Sequence, residues 1–364
     1  MCPSRPATTP GFTYTISKVL LTDLLGVDLP IIQAPMAGSQ GSALAIAVSN
    51  AGGLGSLPCA MLTPDAMRQE LIAITSSTRK PYNVNFFCHH QPEPDSLRED
   101  EWRRLLTPYF AELGIDPTTI PAGPGRVPFN AAAADVLEEF KPPVVSFHFG
   151  LPSKDLLARV KHWGTKILSS ATTIDEARYL EAHGVDAIIA QGIEAGGHRG
   201  LFLSNDISTQ AGTMALTERI IKAVEIPIVA AGGIADAKGV AAVMALGAAG
   251  AQVGTAYLLC PEATTSAVHR AALKSDRARL TAVTNLFTGR PARGIVNRLM
   301  REIGPLHPAA PAFPLAASAI LPLRGRAEGA GRDDFSPLWA GQNVSACREV
   351  PAALLTRELA GVDL

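Results

Sequence analysis

Aromatic side chains are scarce in this chain: Phe, Trp and Tyr make up 5% of its 364 residues. A core must then be packed from Ala, Val, Ile and Leu, and 47% hydrophobic against 18% charged residues supplies material for a large globular one. Net charge is nearly lacking too. At −1 there is no basic surplus of the kind nucleic-acid or polyanion partners demand. The five cysteines (Cys2, Cys59, Cys88, Cys260, Cys347) form no Cys-x-x-Cys pair and no zinc-ligand spacing. They read as reduced thiols of a cytoplasmic protein, and no metal site is expected. No stretch reads as a membrane span. Gly239 to Pro261 carries no charge, but Gly247, Gly250, Gln252, Gly254 and Thr255 divide it into a helix, a turn and a strand. The Pro- and Thr-rich Met1 to Tyr14 lacks the apolar centre of a signal peptide.

What the chain does contain is a recurrent pattern. Short apolar runs appear at Ile31–Met36, Leu54–Leu57, Asn83–Phe87, Val144–Phe149, Lys166–Ser170, Ala187–Ala190, Pro227–Ala231 and Ala251–Thr255. Between them lie helical segments, among them Ser42 to Asn50, Thr63 to Thr75, Ala131–Phe140 and Thr213–Val224. One opens on a capping box, Thr173-Ile174-Asp175-Glu176. Eight apolar strands alternating with helices predict an α/β fold, a closed (β/α)8 barrel. No Gly-x-Gly-x-x-Gly follows the first strand, which argues against an open dinucleotide-binding sheet.

The expected organisation is a barrel over residues 15–260 with an insertion at 88–130. A smaller helical or irregular cap follows the eighth strand, over 261–345, with 262–305 expected to be helical. Residues 346–364 hold a C-terminal helix returning to the barrel. The insertion reads equally as a cover over one face or as a solvated excursion.

A barrel carries its chemistry at the C-terminal ends of its strands. Gly232 and Gly233 close the seventh strand, and Gln252-Val253-Gly254-Thr255 forms the eighth. Barrels commonly hold a phosphate at those two positions. The first strand ends in Ala34-Pro35-Met36, whose neighbours leave room for a flat ligand, while Asn85 and Gln191 offer amides to a polar ring. Together these outline a mononucleotide cofactor. The sixth strand runs into Gln191-Gly192-Ile193-Glu194-Ala195-Gly196-Gly197-His198-Arg199-Gly200, four glycines and one histidine in ten residues. His198 is placed to move protons near neutral pH. His148, ending the fourth strand, either binds an anion beside it or satisfies a neighbouring backbone group. His89 and His90, just after the third strand, either line the pocket or, as is the expectation, form an exposed pair.

With those residues in view, the chain resembles the nitronate monooxygenases, formerly 2-nitropropane dioxygenases, which bind FMN on a TIM barrel. The matching stretches are Gln33-Ala34-Pro35-Met36, Ala51-Gly52-Gly53-Leu54-Gly55, Asn83–Phe87, Ser146–Pro152, Glu194–Gly200, Ala231-Gly232-Gly233-Ile234, Thr288–Gly294 and Trp339-Ala340-Gly341-Gln342. They span roughly residues 30 to 345. The glycine–histidine stretch is shared with FMN-dependent enoyl-ACP reductases. The His148 and Thr288–Gly294 stretches point more narrowly to the class I nitronate monooxygenases.

The resemblance implies that His198 is the catalytic proton-handling residue and that His148, Met36 and Phe313 meet the substrate. It implies FMN contacts from Pro35, Met36, Asn85, Gln191, Gly196, Gly232, Gly233, Gln252, Val253, Gly254 and Thr255. The implied reaction is one-electron oxidation of an alkyl nitronate, such as propionate 3-nitronate, by FMN and O2 to a carbonyl compound and nitrite. The partners are then small molecules, with neither nucleic acid nor membrane, and the protein a monomer or homodimer. Class I members often carry tyrosines and a lysine late in the pocket, where this chain has the apolar Phe313–Ser318. The main alternative is an enoyl-ACP-reductase-like enzyme using FMN and NAD(P)H. An IMP-dehydrogenase-like barrel would need a cysteine after the sixth strand, and residues 200–212 contain none.

Overall fold

The computed structural model describes residues 19–93, 95–120 and 126–362; Met1 to Tyr14 and Cys2 lie outside them. Its strands are β1 (Ile31–Gln33), β2 (Gly55–Pro58), β3 (Tyr82–Phe87), β4 (Val144–His148), β5 (Lys166–Ala171), β6 (Ala187–Gln191), β7 (Gly197–His198), β8 (Ile228–Ala231), β9 (Gly250–Val253), β10 (Thr281–Thr284) and β11 (Ala292–Ile295). The helices are α1 (Leu21–Leu25), α2 (Ser42–Asn50), α3 (Pro64–Ser77), α4 (Ser96–Leu113), α5 (Ala131–Phe140), α6 (Lys154–His162), α7 (Ile174–Ala182), α8 (Thr213–Ile221), α9 (Ala237–Ala245), α10 (Ala267–Leu273), α11 (Arg298–Ile303), α12 (Ala317–Gly329) and α13 (Ala352–Leu359).

Eight strands pair in parallel in the order β1-β9-β8-β6-β5-β4-β3-β2. A parallel bridge between Ile32 and Leu54 brings the two edges together, so the sheet is the expected (β/α)8 barrel. The period-two alternation of each strand divides its side chains between two layers. Ile32, Val144, Leu168, Ile189 and Val229 point inward and are sealed below by Leu21 and Leu25 of α1. Val84, Val145, Ile167 and Ile188 point outward and are covered by helices through Leu71, Leu137, Val160, Leu180 and Ile220. Each such aliphatic side chain contributes about 1.5–3 kcal/mol on burial. α13 packs against α2 and α9, on the outside of the barrel.

Residues 262–305 differ from the helical expectation. α10 and α11 are short, and β10 and β11 between them form an antiparallel hairpin whose β11 also pairs with β7. The insertion is not a solvated excursion. Trp102, Leu106 and Phe110 of α4 share a second apolar core with Leu299, Met300, Ile320 and Leu323 of α11 and α12. The Trp102 indole N–H donates to the Ala316 carbonyl at 3.2 Å. The capping box is half formed. Thr173 caps the Glu176 amide, but the buried Glu176 carboxylate accepts from Thr172 (N and Oγ1, 2.7 Å each) and from the Phe202 amide at 2.6 Å. It thereby ties the start of α7 to the chain just after His198.

Candidate active site

A cleft at the C-terminal ends of the strands encloses about 1220 Å³ between protein atoms, its open mouth included. Pro35, Met36, Asn85, His148, Gln191, Gly196, His198, Gly232, Gly233, Gln252, Gly254 and Thr255 all line it. Two expected residues do not. Val253 follows the inward-facing Gln252 and, by strand alternation, points outward among Leu44, Val48 and Val243. Phe313 stands behind the wall, its ring 5.4 Å from that of His198 and 4.8 Å from that of His89.

His198 is held by long-range pairing. β7 is only two residues long, and it pairs antiparallel with β11, matching His198 with Ala292 and Gly197 with Arg293. That hairpin carries the Thr288–Gly294 stretch to the site. The Thr288 hydroxyl lies 2.9 Å from His198 Nε2, and the Arg290 guanidinium sits over the Phe149 ring at 4.0 Å and donates to the Leu201 carbonyl. Gly196 allows the close approach of the next segment, because a Cβ there would meet the Ala340 and Gly341 backbone at 2.6 Å.

His148 and Gln191 are both occupied by this loop. The Gln191 amide donates to the His198 carbonyl at 2.9 Å and accepts from the Gly200 amide at 2.7 Å. His148 Nε2 lies 3.2 Å from the same carbonyl, which can only accept, so Nε2 carries the proton. Its Nδ1 then accepts from the Ser170 hydroxyl at 3.0 Å. His148 thus satisfies backbone through Nε2 while its side chain also lines the cleft.

The electrostatics are one-sided. Among the described residues that line the cleft there is no Asp or Glu, while Arg126 lines it. Burial, reinforced by Arg126, His148 and Arg290, holds His198 well below the usual imidazole range. Burial brings His148 down to about 3 and His89 to about 4. His89 is therefore not the exposed residue expected: it is buried, with Nε2 2.9 Å from the Arg126 carbonyl, while His90 is exposed. Sequence reasoning gave no role to Phe87, Arg126, Ser170, Thr288 or Trp339. Thr288 and Trp339 lie within the stretches that carried the resemblance; for Arg126 there was no local signal. Among the described residues no cluster of His, Cys, Asp or Glu could hold a metal ion.

The family model for nitronate monooxygenase matches residues 18–361. A nitronate monooxygenase of Paraburkholderia phytofirmans is 43% identical over 356 residues, covering 95% of each chain. One of Pseudomonas aeruginosa is 43% identical over 346 residues, 93% of this chain and 97% of that one. The solved nitroalkane oxidase of Streptomyces ansochromogenes superposes with a TM-score of 0.84 at 42% identity, covering 94% of this chain and 96% of the other. FabK of Thermotoga maritima superposes at 0.70 with 28% identity, over 93% and 94%. With both sequence and structure agreeing over nearly its whole length, the chain belongs to the nitronate monooxygenase family, a family of oxidoreductases.

Proposed function

We propose that the protein binds FMN in this cleft and uses it, with O2, to oxidise alkyl nitronates such as propionate 3-nitronate to a carbonyl compound and nitrite. The observation that carries the reading is the joint one: an uncharged, buried His198 in a cleft lined by an arginine and by no carboxylate. Such a lining favours an anionic substrate, and a neutral imidazole beside it can still accept a proton.

The residues present fit the cofactor. Gln252 Oε1 is buried with no hydrogen-bond partner, an orphan acceptor suited to an N–H of a polar ring. Gly232 and Gly233 have φ of 123° and 69°, conformations that L side chains rarely adopt. They leave backbone open to a phosphate, with Gly254 and Thr255 beside them. Thr255 Oγ1 accepts from the Gly341 amide at 2.9 Å, which leaves its own hydrogen to donate. When bound, FMN supplies one-electron oxidation of the nitronate, with O2 as the terminal oxidant.

The chain's own part is to orient the substrate and to hold one proton. The arrangement that satisfies both groups has His198 Nε2–H donating to Thr288 Oγ1 while the Thr288 hydroxyl donates to the Arg290 carbonyl at 3.5 Å. That leaves the lone pair on Nδ1, the atom that takes the α-proton of a neutral nitroalkane. A nitronate arrives already deprotonated. His148 and Gln191 hold the His198 carbonyl and so fix the imidazole.

The test is anaerobic mixing of the purified, yellow protein with NADH and, separately, with propionate 3-nitronate, followed in the visible spectrum. Conversion of the oxidised flavin spectrum to that of the one-electron-reduced form by the nitronate, and indifference to NADH, is the expected result. Rapid reduction by NADH would instead favour a FabK-like reductase, and a colourless protein would remove the cofactor. His198→Asn should abolish oxidation of neutral nitroalkanes while nitronate oxidation suffers less; equal losses would remove Nδ1 as the base.

A further inference from the structure

The segment between β3 and α5 sends one residue back over the cleft. Arg126 is fixed by its backbone: its carbonyl accepts from His89 Nε2 at 2.9 Å and from Gln91 Nε2 at 2.8 Å. Three residues on, the Phe129 amide donates to the Phe87 carbonyl at 2.8 Å. The guanidinium carbon lies 5.8 Å from the Phe87 ring centroid and 5.7 Å from that of Phe313. Both rings also pack on His198, at 5.9 and 5.4 Å.

What separates Arg126 from the other inward arginines is that its head has nothing to hold. Arg199 donates to Gln191, Gly192 and Gln210, Arg293 to Ile193 and Thr281, and Arg290 to Leu201. Arg68, Arg159, Arg298 and Arg332, half-buried or exposed, pair with carboxylates. Among the described residues the Arg126 guanidinium has neither a hydrogen-bond acceptor nor an ion-pair partner. Burial has nonetheless brought its pKa down to about 10. A partly desolvated cation over two aromatic faces, open to a cleft without an acidic residue, is stabilised when an anion enters from outside.

We propose that Arg126 is the anion-recognition residue of this site, its planar fork pairing with a two-oxygen anion of the substrate. Both a nitronate group and a carboxylate elsewhere on the same molecule present that chemistry, two oxygens matched to two parallel N–H donors. The residue thus deepens the proposed function and rests on it: it makes the cleft select anionic nitronates over neutral nitroalkanes. It also supplies, from the insertion, a cation where the apolar Phe313–Ser318 segment supplies none.

The experiment compares wild type, Arg126→Gln and Arg126→Lys, each with its bound flavin and a matching melting temperature. Equilibrium binding of nitrite and of propionate is read from the fluorescence of Trp339, which lines the same cleft. KM is measured for nitroethane, ethyl nitronate and propionate 3-nitronate. Arg126→Gln should weaken both anions and raise KM for at least one nitronate by about 30-fold or more, the effect of removing one partner of a buried charge pair. The loss for neutral nitroethane should be at least about tenfold smaller, and Arg126→Lys should recover part of the anion affinity. Losses on both nitronates assign the nitronate group as the partner; loss on propionate 3-nitronate alone assigns the carboxylate. Unchanged anion binding in Arg126→Gln, or an equal loss for nitroethane, overturns the proposal. Arg126-dependent anion binding in a wild type that oxidises no nitronate would overturn the proposed function and leave the anion site standing.

Discussion

Replacing Arg199 should show that the loop carrying His198 is held by a guanidinium and not merely by a positive charge. Arg199 is fully buried, and its Nη1 and Nη2 donate to the Gly192 and Gln191 carbonyls at 2.7 Å each. Its Nε donates to Gln210 Oε1 at 3.0 Å, and among the described residues no carboxylate forms an ion pair with it, although Glu194 and Glu176 act on it from farther away. Three charge-assisted bonds at about 1.5–3 kcal/mol each amount to roughly 5–9 kcal/mol. Against them stands the desolvation of an unpaired cation, several kcal/mol, which is why its pKa falls to about 9. Arg199→Met keeps the packing of the stem and removes both contributions, for a net loss of about 2–4 kcal/mol. Arg199→Lys keeps the buried charge but offers a single nitrogen that cannot span three acceptors. It should therefore be at least as destabilised as the Met variant, by about 3–5 kcal/mol. Urea denaturation followed by circular dichroism measures both. At about 2–3 kcal/mol per molar, the midpoints should fall by roughly 1 M or more. A Lys variant as stable as wild type, or more stable than the Met variant by over about 1 kcal/mol, would refute the reasoning.

His148→Phe keeps the ring volume and removes the hydrogen bonds to the His198 carbonyl and Ser170. It should cost about 1–2 kcal/mol in stability and lower kcat about tenfold, with KM for a nitronate nearly unchanged; a rise in KM alone would return His148 to substrate binding. Gly196→Ala places a methyl 2.6 Å from the Ala340–Gly341 backbone, so flavin content after gel filtration should fall with a stability loss of about 1–3 kcal/mol. Full retention of colour would show that this backbone yields. Acid should weaken the fold early. Burial holds His148 near 3 and His89 and His269 near 4, against 6.5 when unfolded. Below pH 6.5 the unfolded chain binds more protons than the folded one, so stability falls as pH drops from 6.5 toward 4. At pH 5.5 each of the three accounts for about 1.4 kcal/mol of that loss, and equal urea midpoints at pH 7.5 and 5.5 would contradict it.

The barrel was legible because its signal is local. A buried parallel strand is a continuous apolar run, and eight such runs survive any uncertainty about their ends. The glycines at the strand ends were legible for the same reason. What escaped was whatever depends on pairing across the chain. Gly197-His198 has no strand signature, and Thr281–Thr284 and Ala292–Ile295 carry too few apolar residues to announce a hairpin, yet the three form one antiparallel sheet. The arginines were the least legible. In sequence, Arg199, Arg290 and Arg293 look like solvated charges of a turn and a helix. In the fold they answer a need the glycines create.

A loop of four glycines in ten residues brings backbone carbonyls into a buried place with few side chains to satisfy them. Gln191, Gly192, Ile193 and Leu201 offer carbonyls there, and the three guanidiniums donate to all four. Arg199 comes from the loop itself and the other two from the hairpin nearly a hundred residues on. The glycine stretch and the Thr288–Gly294 stretch are therefore one structural unit, and neither can be understood without its partner. One member of this unit also acts on His198. Burial first, then Arg126 and, of the three guanidiniums, Arg290 keep the His198 imidazole unprotonated. Arg290 thus serves twice, satisfying the Leu201 carbonyl and adding its charge to the burial that keeps His198 neutral.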